Sequence, residues 1–288
     1  MKLSVSTLGC PEWNLSEILS NCKRYGYDSI ELRGIGGHLD LTHSPLFESP
    51  QAIKRTCAEI RESGLSVSAI DTSAMLASAN HVGKSRMEAL AAIDLAATLG
   101  APYIRVFGGD ATNGESQQIA TERLVEELAR LGRYASDANV AVLLENHDAY
   151  GTGAQVAEVL AQVRHKSIGA LWDIYNSAAI GEDPATSLSH LVPYLHFVHV
   201  KDGHYASSQY CLLGDGDAPI RECMAKLISY GYDGDVSVEW EKRWHPDIHE
   251  PEIAFPQYAD VLRRYVDLAR TGNSSRELVG SSVSPVTV

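Results

Sequence analysis

The chain has 288 residues, 44% of them hydrophobic and 21% charged, the ordinary balance of a water-facing protein with one sizeable core. Its formal net charge of −13 argues against a nucleic acid or an anionic membrane as partner, because both attract basic faces. No apolar stretch approaches the roughly 20 residues that cross a bilayer, and the opening MKLSVSTLGC is too short and interrupted for a signal peptide. Five cysteines, Cys10, Cys22, Cys57, Cys211 and Cys223, are odd in number and lack metal-type spacing, which fits reduced thiols in a cytoplasmic protein.

Read from the N-terminus, short β-type runs alternate with longer amphipathic segments. The patterning predicts strands near 3–8, 29–33, 65–71, 103–107, 140–146, 168–174, 196–200 and 236–240. Between them it predicts helices near 15–25, 50–63, 84–99, 116–138, 154–163, 184–191, 219–230 and 253–269. Gly26, Gly64, Gly100 and Gly231 each follow a helical segment and precede a strand, where a left-handed residue ends a helix. Pro184 and Pro219 suit first helical turns. Such alternation predicts an α/β fold, a single closed parallel (β/α)8 barrel over residues 1–270. The competing doubly wound sheet wants a Gly-rich phosphate loop after its first strand, and Gly9-Cys10-Pro11-Glu12-Trp13 is no such loop. Residues 271–288 have no helical period and read as a flexible C-terminal tail.

Four of the strand runs end on a metal-capable side chain: AVLLE at Glu145, GALWD at Asp173, HFVH at His199 and DVSVE at Glu239. The gaps of 28, 26 and 40 residues are βα-repeat distances, so all four groups would emerge at the C-terminal rim of one sheet. Three carboxylates and an imidazole suit one divalent ion, Mn²⁺ or Mg²⁺ foremost, with Co²⁺ or Zn²⁺ as alternatives. Three acids so crowded would otherwise repel one another or take up protons.

LLENH, LWDIYN, HFVHVKD and VSVEWE, with GLSVSAID, SRMEALAAIDLAATLGAPYIRVFGG and LLGDGDAPI, resemble the xylose isomerase-like (sugar phosphate isomerase/epimerase) superfamily of TIM barrels. The resemblance runs from about Met1 to Ala269. It implies metal ligands at Glu145, Asp173, His199 and Glu239, with Glu145 and Glu239 also the acid/base pair. The implied enzyme is a metal-dependent sugar isomerase or epimerase that removes a proton beside the carbonyl of a ketose or keto-sugar, through a metal-stabilised enediolate. The alternative is a lyase on the same scaffold, dehydrating or deglycosidating a 3-keto sugar by β-elimination. His147 favours this alternative, as does Asn176, which stands where the family's ketose epimerases usually carry His. An abasic-site endonuclease and a non-catalytic sugar binder complete the alternatives. The endonuclease is disfavoured by the acidic charge and the missing extra histidines.

Further candidates lie around the same rim. His147, two residues beyond Glu145, and Lys201, two beyond His199, are candidate catalytic groups by strand alternation; Lys201 would place a cation near developing oxyanion charge. Arg33 and Arg105 end strands two and four and would either grip substrate oxygens or neutralise rim acids such as Glu31. Trp13 and Trp240 would stack on a sugar face or close the apolar wall. Asn176 and His204 complete the candidate substrate contacts. Barrels of this kind often associate, so a homo-oligomer or a hetero-complex is expected beside the small-molecule sugar partner.

Overall fold

The computed structural model describes residues 1–280, with side chains through Gly272. Among these residues eight parallel strands close into one barrel: β1 (Lys2–Ser6), β2 (Ser29–Leu32), β3 (Ser66–Met75), β4 (Tyr103–Phe107), β5 (Ala141–Glu145), β6 (Ile168–Asp173), β7 (Leu195–Val200) and β10 (Asp235–Val238). They pair in chain order, and β10 closes onto β1 with Lys2 beside Asp235 and Val5 beside Val238. The connecting helices are α1 (Leu15–Arg24), α2 (Pro50–Ser63), α3 (Val82–Leu99), α4 (Gln117–Asp137), α5 (Gly153–Val163), α6 (Ile174–Ala179), α7 (Pro184–Leu191), α8 (Ile220–Ser229) and α9 (Pro251–Gly280).

The predicted strands are all present, and their ends fall within two residues of expectation except that β3 runs on to Met75. The four helix-ending glycines all take positive φ, between 72° and 84°. Pro184 opens α7, whereas Pro219 sits one residue ahead of α8 as its cap. Three features depart from expectation. Helix α6 follows β6 directly, because Asp173 Oδ1 accepts the Asn176 N–H (2.9 Å) and so caps a helix at once. An antiparallel ribbon, β8 (Asp202–His204) with β9 (Gln209–Cys211), stands above β7. Finally α9 continues to Gly280, so the expected boundary at residue 270 falls inside a helix; adding a turn to an existing helix is far easier than starting one. The remainder of the expected tail, 281–288, lies outside the described residues.

Strand alternation sorts side chains into an outer and an inner set. Val5, Ile30, Leu32, Val67, Ile70, Val142, Leu144, Val198, Val236 and Val238 pack outward in the main core shared with the helices. Ala69, Leu143, Leu171 and Phe197 form a separate small cluster. These last four stand two residues before Asp71, Glu145, Asp173 and His199 on their strands. They therefore form an apolar inner layer, with the polar layer stacked above it toward the C-terminal rim. That stacking aims a ring of acids at one mouth.

Asp202 fixes the loop beside that mouth. Its carboxylate accepts backbone N–H groups from Gly203 (2.9 Å), Gly214 (2.8 Å), Gly216 (3.3 Å) and Ala218 (3.2 Å). A Cβ on Gly216 would lie 2.2 Å from Asp202 Oδ1, so only glycine lets the loop close over the carboxylate. With one buried and three partly buried N–H groups losing their acceptor, Asp202→Ala is expected to lower stability by about 2–3 kcal/mol. Urea unfolding checks this, and a loss under about 1 kcal/mol would mean that water replaces the carboxylate without cost.

All five cysteines are unpaired. Among the described residues no helix is long and apolar enough to cross a membrane.

Candidate metal centre

Glu145, Asp173, His199 and Glu239 converge as their spacing predicts. All four are buried, and each offers a ligand atom within 4.8 Å of the others. The neighbouring strands set the register: Asp173 pairs with His199, and His199 with Ser237 two residues before Glu239. His199 Nδ1 lies 3.3 Å from Glu239 Oε2 and 3.7 Å from Glu145 Oε1. His199 Nδ1, Glu145 Oε2 and Asp173 Oδ2 are buried without a well-aligned hydrogen bond, though each has a charged neighbour within ion-pair distance. Three carboxylates and one imidazole nitrogen converging on one point are the donor set of a hard divalent ion, so the residues present fit such an ion.

The charges around this point are arranged by residues from distant strands. His199 Nε2 lies 2.7 Å from Glu31 Oε1 on β2, and Ser237 Oγ donates to the other Glu31 oxygen. The Glu31 contact claims Nε2 and directs Nδ1 to the cluster, as a carboxylate behind a metal-binding histidine does. Arg105 fills the barrel centre. Its Nη2 is 3.2 Å from Asp71 Oδ2, its Nε is 3.2 Å from Glu145 Oε2, and its Nη1 donates to the Thr72 carbonyl at 3.1 Å. Lys201 Nζ reaches Asp173 Oδ2 and Glu239 Oε2 at 2.6 Å each, and Glu241 Oε1 at 2.8 Å.

Titration follows from these contacts. Burial alone would raise the pKa of Glu239, but His199, Lys201 and Arg105 reverse this and hold it well below the usual carboxylate range. Burial raises Asp173 to about 6 despite Lys201, with Glu239 and Glu145 adding to the rise. Asp71 is driven up to about 8 by burial, with Glu31 beside it, against the pull of Arg105. Burial disfavours a charged His199, yet Glu239 and Glu31 outweigh it and raise its pKa well above the ordinary value. Binding a divalent cation at Nδ1 would therefore release a proton.

The remaining sequence candidates divide. His147 lies at the mouth, its ring centroid 4.5 Å from that of Phe107 and its Nδ1 2.8 Å from Asp148 Oδ1. Burial lowers its pKa, but Asp148 and Glu145 together raise it above the ordinary histidine value. Asn176 serves the backbone: its Nδ2 donates to the Asn146 carbonyl at 3.2 Å. Asn146 in turn receives the Asp173 N–H at 2.7 Å and donates to the Asp173 carbonyl at 2.9 Å, locking that ligand in place. Trp240 is fully buried, with its indole N–H on the His249 carbonyl, and Trp13 packs edge-on to Phe255 with ring centroids 5.7 Å apart. Their side chains pack against Phe255 and Tyr258 of α9, which fits the apolar-wall reading of the two expected for them. His204 stands exposed on the ribbon, 4.0 Å from Asp217 Oδ2. Of the two readings of Arg105, the structure supports neutralisation of rim acids: the guanidinium is buried among them.

Asp71, Glu241, Ser237 and Tyr210 belong to the centre but were not singled out from sequence. Tyr210 donates its hydroxyl to Glu241 Oε1 at 2.9 Å, and its ring centroid lies 5.8 Å from Lys201 Nζ. Asp71 and Glu241 did carry a signal. Asp71 ends the apolar run SVSAID, and Glu241 follows Glu239 by two in VEWE, so both share the inward face. Tyr210 carried none, since its place depends on the ribbon.

A model of the xylose isomerase-like TIM barrel family matches residues 19–265. A fructoselysine 3-epimerase of Shigella flexneri is 26% identical over 177 residues, 60% of this chain and 63% of that protein. An inosose dehydratase of Bacillus licheniformis is 25% identical over 168 residues, 51% of this chain and 53% of that protein. The chain thus spans less than two thirds of the length of either relative. Among solved structures, an L-ribulose 3-epimerase superposes with a TM-score of 0.80 over 99% of both chains at 18% identity, a likeness of fold.

Proposed function

The chain belongs to the xylose isomerase-like TIM-barrel family, and from that premise we propose that it is a divalent-metal-dependent isomerase or epimerase of a ketose or keto-sugar. The observation that carries this reading is the buried convergence of Glu145, Asp173, His199 and Glu239 within 4.8 Å. Its similarity to a sugar epimerase and a sugar dehydratase supports the substrate class.

Glu145, Asp173, His199 and Glu239 would hold a divalent ion, which when bound would supply the Lewis acidity that makes the C–H next to a sugar carbonyl acidic. The chain supplies the proton handling. Glu145 and Glu239 close the strands on either side of His199 and Asp173. Glu239, a carboxylate at the edge of the ligand cluster with one oxygen free for proton transfer, is the base that takes the α-proton. Glu145, with Arg105 Nε at 3.2 Å, serves the other side: it relays to the enediolate a proton taken up from solvent, and Glu239 gives its abstracted proton back to solvent to close the cycle. Lys201, anchored by Glu241 at 2.8 Å, keeps an ammonium beside the oxygen on which charge develops.

A second reading, a lyase, is favoured by one observation. His147 is held at the mouth by Asp148 with its pKa raised, which suits an acid that protonates a departing β-substituent after the same α-proton has gone. NMR of a keto-sugar panel in D₂O with Mn²⁺ or Mg²⁺ tests both. Solvent deuterium at the carbon beside the carbonyl in a rearranged sugar supports the isomerase, whereas an enone or released substituent supports the lyase. No deuterium uptake by any member would contradict both.

If Glu31 positions His199, Glu31→Gln is expected to weaken Mn²⁺ binding roughly 10-fold or more. Calorimetric titration reads this, and wild-type affinity in a folded variant would assign Glu31 to packing alone.

A further inference from the structure

Arg33 is 6% exposed, yet among the described residues no carboxylate lies within ion-pair distance of it. Among the described residues the guanidinium's one hydrogen bond is from Nη2 to Ser73 Oγ at 2.7 Å. A guanidinium carries five N–H donors, so four find no protein acceptor. The nearby acids are already engaged. Asp71 is taken by Arg105, Glu31 by His199 and Ser237, and Glu88 by the Ser73 N–H at 2.6 Å. A buried cation without a counter-ion is unfavourable, and Arg33 accordingly has its pKa lowered, by burial first and then by Arg105.

The position is built. Arg33 follows Glu31 by two, on the inward side of β2. Thr7 Oγ1 accepts the backbone N–H groups of Arg33 (2.9 Å) and Gly34 (3.2 Å), which ends the strand and fixes the side chain's root. Ser73, which holds its tip, is exposed on the rim. Arg33 and Ser73 each stand two residues beyond an acid of the centre, Glu31 and Asp71, which contact His199 and Arg105, so strand alternation puts the guanidinium on the same side, one step nearer the rim.

We infer that Arg33 is the receptor for a carboxylate on the substrate, making the substrate a keto-sugar acid rather than a neutral ketose. The inference rests on the sugar reading above. A planar fork with unclaimed donors matches a carboxylate bidentately. The carboxylate docks on Arg33 while the carbonyl and its neighbouring hydroxyl face the four-ligand cluster.

The test is calorimetric titration of the Mn²⁺-loaded full chain with D-gluconate and D-glucitol, which differ by a carboxylate. D-gluconate is expected to bind at least 10-fold more tightly. Arg33→Met should abolish this preference while leaving D-glucitol affinity within 2-fold, and Arg33→Lys should keep part of it. Ser73→Ala, which frees the tip without removing the cation, should retain most of the preference and serves as a folded reference. Equal affinities in the unaltered protein, no binding of either probe, or a preference that survives Arg33→Met would overturn the inference. In parallel, solvent-deuterium exchange compares D-fructuronate with D-fructose, with the acid expected to exchange at least 10-fold faster. A carboxylate preference that depends on Arg33, with no exchange in either sugar, would sink the proposed reaction and leave the anion site standing.

Discussion

Replacing Glu239 with glutamine is expected to lower turnover of a keto-sugar by about 10²–10⁴-fold, the typical contribution of a positioned general base. The isosteric amide keeps the shape of the side chain, and its carbonyl still accepts from Lys201, so the fold should hold. What it loses is the carboxylate itself, and an amide has no lone pair basic enough to take a proton. The matched measurement is deuterium exchange in D₂O beside Mn²⁺ content per chain. A folded, metal-containing Glu239→Gln protein that exchanges as fast as the unaltered one would remove Glu239 from the chemistry. Loss of metal together with exchange would assign it to binding the ion first.

Arg105→Met is expected to cost about 3–5 kcal/mol of stability in metal-free protein, the range for removing one partner of a buried ion pair. Arg105 is the only cation within ion-pair distance of Asp71 among the described residues, and it also faces Glu145. Methionine nearly fills the volume but leaves both carboxylates in a medium that opposes their charge. Asp71, raised to about 8, is already mostly protonated at neutral pH, so the cost falls chiefly on Glu145, whose remaining near neighbour is His199 Nδ1 at 3.7 Å. A divalent ion among the ligands would restore part of the loss, because it stabilises the folded state by mass action. Urea unfolding with EDTA and with Mn²⁺ separates these effects. A variant as stable as the unaltered protein in EDTA would show that Arg105 is not needed to neutralise the centre.

Much of this centre was legible in the chain because a parallel strand has a simple grammar. An apolar run ending on a polar residue puts that residue at the rim, and Glu145, Asp173, His199 and Glu239 each end such a run. What could not be read is which side chains meet across the barrel. Glu31 and His199 are separated by 168 residues, and their meeting depends on inner-layer heights altered by register shifts between Ile30 and Glu31 and between Ala170 and Leu171. The same blindness left Arg105 with two readings until its partners were known. Trp240 sits beside Glu239 in sequence but points to the opposite side, as alternation requires, and so joined the wall. Helix α6 and the ribbon escaped because each depends on a local device, the Asp173 cap and the Asp202 anchor, whose effect is clear only once the surrounding loops are in place.

Anomalous diffraction from a crystal soaked in Mn²⁺ tests the central claim most directly. The expected map holds one manganese peak roughly 2.0–2.3 Å from an oxygen of Glu145, Asp173 and Glu239 and from His199 Nδ1, with Lys201 drawn back onto Glu241. A map without that peak, in which Lys201 still bridges Asp173 and Glu239, would contradict it.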